Sequence, residues 1–241
     1  MKFEEMLKLK PMNNQPAKYK LSPSDFRYLW EDCKLCFYLK VKRGIIQPSI
    51  GIPGVFMKMN SLLQKDIAGV NLRDINPKLP SGIIETKEGY LKSAPIPPSN
   101  DCFLSGRFDI VSKLEDGSYG IIDFKISDPN EEKVQKFTHQ LHAYKFAIEN
   151  PAEGESKKVS KMGLIIVSPE QIGFKNGFVY FKSTPNWFEI NEDTEGFLKF
   201  IGSVSQVLNG APPPPTPECK WCIYRTYFEP KNKMEVDELP F

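Results

Sequence analysis

Residues 106–127 read GRFDIVSKLEDGSYGIIDFKIS, two strand-like runs joined around Glu115, Asp116 and Gly117. Alternation along the second run sends Ile122, Phe124 and Ile126 to one face and Asp123 and Lys125 to the other. That second face carries a carboxylate and an ammonium about 7 Å apart along the backbone. Whether Asp109 joins them depends on the turn. A three-residue loop with Gly117 left-handed puts Asp109 directly opposite Asp123, whereas a two-residue turn at Asp116-Gly117 pairs Asp109 with Phe124 and aims it away. The sequence allows both. The three-residue loop is preferred, because it makes the polar face of both strands coherent and leaves Phe108 and Ile110 with the apolar set.

An Asp-x-Lys on an ordinary half-buried sheet is a surface ion pair worth 0 to about 1 kcal/mol, so the neighbours decide its meaning. Asp109 and Asp123 are hard oxygen donors of the type that Mg²⁺ or Mn²⁺ takes. Lys125 is placed to orient a water or to offset charge on a phosphate under in-line attack. Gln140 and Tyr144, four apart, share one helix face and can act together.

Working outward, LSPSDF opens the first firm element. Ser22 is read as the cap of a helix over 23–43 with Pro23 at its first position, stopped by Gly44. A shorter helix is expected from about Val55 to Ile67. GIIETKEGYLKSAPI, from Gly82, reads as a hairpin. After the central strands, Asp128 and Pro129 are read as the start of a helix running to about Asn150, with Glu131 completing a capping-box-like arrangement. KMGLIIVSP, GFVYFKS and NWFEI read as strands, and Asp193 to Leu208 as a last amphipathic helix. The proline run in GAPPPPTPEC is a stiff spacer that delivers CKWC. The organisation expected is an arm over 1–20, one domain over 21–225 and a tail over 226–241.

Bulk properties narrow the function. The chain has 241 residues, enough for one sizeable core, with 40% hydrophobic, 26% charged and 12% aromatic residues. Its 32 basic and 30 acidic residues give a net charge of +2, so any footprint for a polyanion must be local. Candidates are Lys34, Lys40, Lys42 and Arg43 near the first helix's end, and Lys133 and Lys136 on the helix bearing Gln140. Tyr28, Trp30 and Trp221 are weighed as base-stacking rings against ordinary packing. No apolar run reaches the roughly 20 residues of a membrane span, and MKFEEMLKLKPMNNQ lacks the apolar centre of a signal peptide. A cytoplasmic protein without membrane contact is expected. In that reducing setting five cysteines argue for metal rather than disulfides. Cys33 and Cys36 late on the first helix, with Cys219 and Cys222 after the spacer, form two C-x-x-C pairs able to hold Zn²⁺ or an iron–sulfur cluster and so clasp the chain's two ends. Cys102, in an apolar strand, is read as structural.

GRFD, then IIDFK, then QLHAY resembles the ordered G-x-x-D, D-x-K and Q-x-x-x-Y motifs of the PD-(D/E)xK nuclease superfamily, in its RecB/Cas4-like branch. With LSPSDFRYLWEDCKLCFYL at the front and PECKWCIYR at the back, the likeness spans about 22 to 225. It implies an α/β, restriction-endonuclease-like core, a central mixed sheet flanked by helices. It implies metal held by Asp109, Asp123 and the main-chain carbonyl of Phe124, with Lys125 catalytic and Gln140 and Tyr144 near DNA or the site. Many relatives add a histidine from an early helix; here GVFMKMNSLLQ offers Asn60 and no histidine. His139 is read as a polar or packing residue rather than a ligand, and Glu85 is a further acidic candidate. Cas4-like relatives use one early and three late cysteines around an iron–sulfur cluster. The present two-plus-two split keeps the ligand number, and Phe228 stands where a late cysteine would be. By resemblance a [4Fe-4S] cluster is favoured over zinc.

The resulting expectation is a Mg- or Mn-dependent deoxyribonuclease acting on single-stranded DNA or duplex ends, with protein partners in repair or defence. Its rival is a catalytically weak or inactive nuclease-like nucleic-acid-binding or assembly subunit.

Overall fold

The turn at 115–117 closes as a three-residue loop. Leu114 N donates to Ser118 O at 2.9 Å, Gly117 takes φ +82°, and the Asp116 carboxylate accepts from the Ser118 amide at 2.9 Å. A glycine serves at 117 because other residues are strained at positive φ. The strands it joins, β3 (Cys102–Leu114) and β4 (Tyr119–Ile126), pair antiparallel from Lys113 opposite Tyr119 to Ile110 opposite Ile122. The pairing stops there, one residue short of Asp109 and Asp123.

The computed structural model describes residues 18–48 and 51–227. Around β3 and β4 it builds a six-stranded mixed sheet. A first strand, β1 (Tyr19–Leu21), runs parallel to β3, and β2 (Gly82–Lys92) runs antiparallel along its other edge. Beyond β4 come β5 (Val159–Val167), parallel to it, and β8 (Asn186–Glu189), antiparallel to β5. Two further strands, β6 (Gln171–Lys175) and β7 (Phe178–Lys182), pair only with each other. The mixed sheet flanked by helices is the architecture the sequence led us to expect. Most of the expected arm, residues 1–17, and the tail from 228 lie outside the described residues; Tyr19 and Lys20, assigned to the arm, belong to β1.

Both sheet faces are covered. On one, Val111, Ile121, Leu164 and Ile166 pack with α6 (Thr138–Glu149) and α7 (Thr194–Asn209). On the other, Ile110, Ile122, Phe124 and Ile165 pack with Ile67, Leu72 and Leu79, which lie around the short helix α4 (Leu72–Ile75). Fully burying one such side chain is worth about 1.5–3 kcal/mol, so this double coverage holds β4 and β5 at the centre. Phe108 packs with the first group and Ile110 with the second. The two were expected on one face; the alternation of β3 breaks between them, at Asp109.

Several elements differ from the sequence reading. The helix expected over 23–43 is broken: α1 (Pro23–Asp25) runs into a π-helical turn, Phe26–Trp30, and α2 (Lys34–Arg43) begins afresh after an extended Cys33. Ser22 holds the cap position without a side-chain cap bond, whereas Gly44 ends α2 in the left-handed conformation, its amide on Lys40 O at 3.0 Å. Cys33 and Cys36 therefore sit at the start of a helix, not late on one. The segment read as a hairpin from Gly82 is one continuous strand, β2, because β3 offers it a partner along nearly its whole length. The helix expected from Asp128 starts later and is split into α5 (Glu131–Gln135) and α6; Asp128 instead accepts from Ser168 Oγ at 2.9 Å. Helix α3 (Gly54–Leu63) and α8 (Lys220–Tyr227) complete the helices among the described residues. Asp193 caps α7 as read, accepting from Gly196 N at 2.8 Å.

Candidate active site and cysteine centre

The site arises where β3 loses a neighbour. On its β2-free edge, β3 pairs with β1 through Leu104 and with β4 only from Ile110, so residues 105–109 have no strand partner there. Pro23 fills the gap: a Cβ at Gly106 would lie 2.9 Å from Pro23 Cδ. The glycine of GRFD is thus a close-approach residue that lets α1 seat against the strand. At the far end of the gap the Asp109 carboxylate replaces a strand neighbour, its Oδ2 accepting from Phe124 N at 2.9 Å. In an extended strand the N–H and C=O of one residue leave on the same side, so the Phe124 carbonyl faces Asp109 as well.

Asp123 is buried, at 3% exposure, and Lys125 forms an ion pair with its Oδ2. Gln140 Nε2 reaches to 3.4 Å of Asp123 Oδ1 and donates to Tyr144 Oη at 2.9 Å. Asp109, Asp123, Lys125, Gln140 and Tyr144 are all brought together. Burial and the neighbouring Asp123 charge push the Asp109 carboxyl up to about 6, against the pull of Lys125 and the Phe124 amide. Burial opposes the charge of Lys125, but Asp123 and Asp109 outweigh it and raise its pKa. Burial, then Asp123, raises Tyr144, so its hydroxyl keeps its proton.

Gln140 is buried because α6 has no free side: residues 140–147 are all buried. Its polar residues must then find partners inside. Lys145 Nζ donates to Glu149 Oε1 and Val159 O, both at 2.6 Å. His142 Nε2 accepts from Asp193 N at 2.7 Å while Nδ1 meets Thr138 O at 2.8 Å, the pattern of a neutral ring. His139 stacks on Phe200 at 3.8 Å, the packing role expected of it. Gln140 Oε1, like Thr138 Oγ1 at the start of this helix, is buried without a hydrogen-bond partner, and it lies next to the Asp123 carboxylate.

Other candidates lie elsewhere. Glu85 pairs with Lys157 at 2.8 Å, and Asn60 Oδ1 accepts from Gln64 Nε2 at 3.3 Å. Lys40 is bound to Asp25 at 2.6 Å and Lys42 to Leu208 O at 2.9 Å, so these two serve the fold. The side chain of Lys133 lies outside the described residues. Trp30 is buried against Phe37 and Phe200. Sequence reasoning missed Phe137 and Arg27: Lys125 Nζ sits 5.2 Å from the Phe137 ring centre and the Arg27 guanidinium 5.6 Å from it, with Tyr28 edge-on at 6.1 Å. Only the spacing of Phe137, three before Gln140, hinted at a place beside the site.

A second centre joins the ends of the domain. Cys33, Cys36, Cys219 and Cys222 are buried with all four sulfurs within 4.8 Å of one another. Cys36 lies 3.6 Å from Cys222 and 3.7 Å from Cys219, and Cys33 3.6 Å from Cys222. Arg225 Nη2 approaches Cys222 at 3.3 Å and Cys36 at 3.5 Å. Burial works against ionising Cys33, yet donors from Thr216 and from the Cys36 amide bring its thiol down to about 6. Burial pushes Cys36 up to about 12. Cys102 is apart, buried, and pushed up to about 12 by burial.

A family model matches the part of the chain that carries the carboxylate site. The model of the PD-(D/E)XK nuclease superfamily covers residues 64–227. The chain belongs to this superfamily. Among solved structures, this superfamily member is similar to one described as "Crystal structure of SSO0001", at 16% identity and a TM-score of 0.46, over 96% of this chain and 93% of that one. No curated protein matches it significantly in sequence. No helix among its described residues is long and apolar enough to cross a membrane.

Proposed function

We propose that the protein is a Mg²⁺- or Mn²⁺-dependent deoxyribonuclease of the RecB/Cas4-like branch. The observation that carries this reading is the convergence of Asp109 and Asp123 beside Lys125 and the unpartnered Gln140 Oε1. The buried Asp123 carboxylate and the half-buried one of Asp109 beside it repel each other, which together with the larger effect of desolvation raises the Asp109 pKa, and a hard divalent cation relieves that repulsion. The donor set fits such an ion, with Asp109, Asp123 and the Phe124 carbonyl as its holders. When bound, the ion supplies Lewis acidity at the phosphate and lowers the pKa of water.

The chain's own groups do the rest. Lys125, kept protonated by the two carboxylates, neutralises charge that builds on the phosphate as water adds and the bridging P–O bond breaks. Gln140, itself held by Tyr144, fixes the orientation of Asp123. Phe137 and Tyr28 wall one side of the Lys125 ammonium. With Mg²⁺ or Mn²⁺ and labelled single-stranded or blunt duplex DNA, the purified chain is expected to release shorter products. Asp123→Ala and Lys125→Ala should each slow this by at least about a hundredfold without unfolding. Wild-type protein that binds DNA but cleaves no form of it with either metal would instead be a binding or assembly subunit on a nuclease scaffold.

For the cysteine centre we infer a single zinc ion rather than the [4Fe-4S] cluster that resemblance implies. A tetrahedron of bonds of about 2.3 Å has edges of about 3.8 Å, close to the three sulfur separations of 3.6–3.7 Å, with all four sulfurs within 4.8 Å of one another. A four-iron cube carries its thiolates on outer corners, farther apart. Metal analysis of protein purified without oxygen tests this: one zinc per chain and no absorption above the protein's own is expected, and a brown, iron-rich protein overturns it.

A further inference from the structure

The chain between β5 and β8 makes a detour. It runs out as β6, turns at Asn176 and Gly177, left-handed at φ 52° and 78°, and returns as β7. Ile172 lies opposite Phe181, Gly173 opposite Tyr180, Phe174 opposite Val179, and Lys175 opposite Phe178. Opposed residues share a face, so this ribbon has two unlike sides. One carries Ile172, Phe174, Val179 and Phe181 and is wholly apolar. The other carries Lys175, Phe178, Tyr180 and Lys182. All ten strand residues are exposed, Phe174 at 81%. With neither side covered, the ribbon's aromatic rings serve no core.

Its root is at the candidate active site. Ile166 of β5 lies beside Lys125 and Val167 beside Ile126, and the returning β8 sets Asn186 against Ile166. The ribbon therefore leaves the sheet at the end where β4 presents Asp123 and Lys125. Residues 171–182 hold two lysines, four aromatic residues and no carboxylate. The nearest acid, Glu170, is turned onto Thr184 at 3.0 Å.

We propose that the Lys175, Phe178, Tyr180 and Lys182 side of this ribbon is a platform for single-stranded nucleic acid, leading a strand to the carboxylate site. This rests on the nuclease reading above. Lysines supply phosphate contacts, and aromatic faces take unstacked bases whatever their sequence. The Phe178 and Tyr180 ring centres are 6.4 Å apart, nearly twice the rise of about 3.4 Å per base along a stacked duplex strand. A stretched single strand reaches that spacing between neighbouring bases; a duplex does not. The apolar side has no cation or donor for a phosphate.

The full chain, without added divalent ion, is titrated into fluorescein-labelled oligothymidylate and into a duplex of equal length. Phe178→Ala with Tyr180→Ala should weaken single-strand binding about tenfold or more. Lys175→Gln with Lys182→Gln should weaken it and lower the slope of log affinity against log salt by about 1.4. Phe174→Ser with Phe181→Ser should leave it unchanged, and all variants should melt with the wild type. Wild-type binding by the aromatic double variant overturns the platform, as does equal loss of binding and of a wild-type dimer in the Phe174/Phe181 variant, which would make the ribbon a self-association arm. Cleavage with Mg²⁺ separates the two readings. A wild type that cleaves while ribbon variants bind and cleave normally removes the platform and leaves the nuclease; ribbon-dependent binding with no cleavage does the reverse.

Discussion

Asp109 is the residue on which the chemistry turns, because its carboxyl is pushed up to about 6 by burial and by Asp123. A cation must displace whatever proton it holds, so divalent-ion affinity is expected to fall about tenfold per pH unit below about 6 and to level off above it. Calorimetric titration with Mn²⁺ between pH 5 and 8 checks this, and a flat profile argues against Asp109 as a ligand. The sign for stability is opposite. A carboxyl with a raised folded pKa favours the folded state most below its unfolded value, near 4, and this contribution is lost as pH rises through about 6. The ion-free protein should therefore melt lower at pH 7 than at pH 5 as far as Asp109 is concerned, and Asp109→Asn should flatten that difference. Tyr144→Phe removes the oxygen that accepts from Gln140 at 2.9 Å while keeping the ring. Melting is expected to shift by the equivalent of about 1 kcal/mol, with cleavage slowed more than DNA binding is weakened; equal loss of both would make Tyr144 a binding residue.

At the scale of elements, the site depends on α1 seating in the gap beside β3. Gly106→Ala would drive a methyl to 2.9 Å from Pro23 Cδ, and overpacking of this kind costs about 1–3 kcal/mol. Urea unfolding should register that loss, and an unchanged midpoint would mean that α1 shifts freely. The D-x-K face was legible from its residues, whereas Asp116 and Gly117 suited two turns and the three-residue loop was preferred only for the coherence of the polar face. The break of the first helix was not. Nothing between Phe26 and Val41 disrupts the helical pattern locally; the extended Cys33 follows from aiming its sulfur at Cys222, 189 residues away. The long β2 was misread as a hairpin for a similar reason, since Glu88 at φ 49° and Gly89 look like a turn until β3 supplies a partner on both sides of them.

At the scale of the molecule, the cysteine centre links α2 to α8 and closes a loop that includes every strand of the sheet except β1. Binding energy of a structural ion is folding energy. Stripping the metal, or Cys222→Ser, is expected to cost about 2–4 kcal/mol and lower the melting temperature by roughly 4–16 °C, read by calorimetry; a metal-stripped protein that melts with the holoprotein would remove the clasp from the account. The sequence by itself determined the strand face bearing Asp123 and Lys125 and the pairing of two C-x-x-C motifs, because each follows from local alternation or the ligand habits of thiolates, while the mixed architecture was implied by the ordered motifs through the family resemblance. Only the tertiary structure decided that Asp109 ends its strand alternation to accept from Phe124, that Arg27 and Lys125 both meet the Phe137 ring, and that β6 and β7 stand uncovered. Those outcomes depend on which strand lacks a neighbour and which face lacks a helix, and such vacancies exist only once distant parts of the chain are packed.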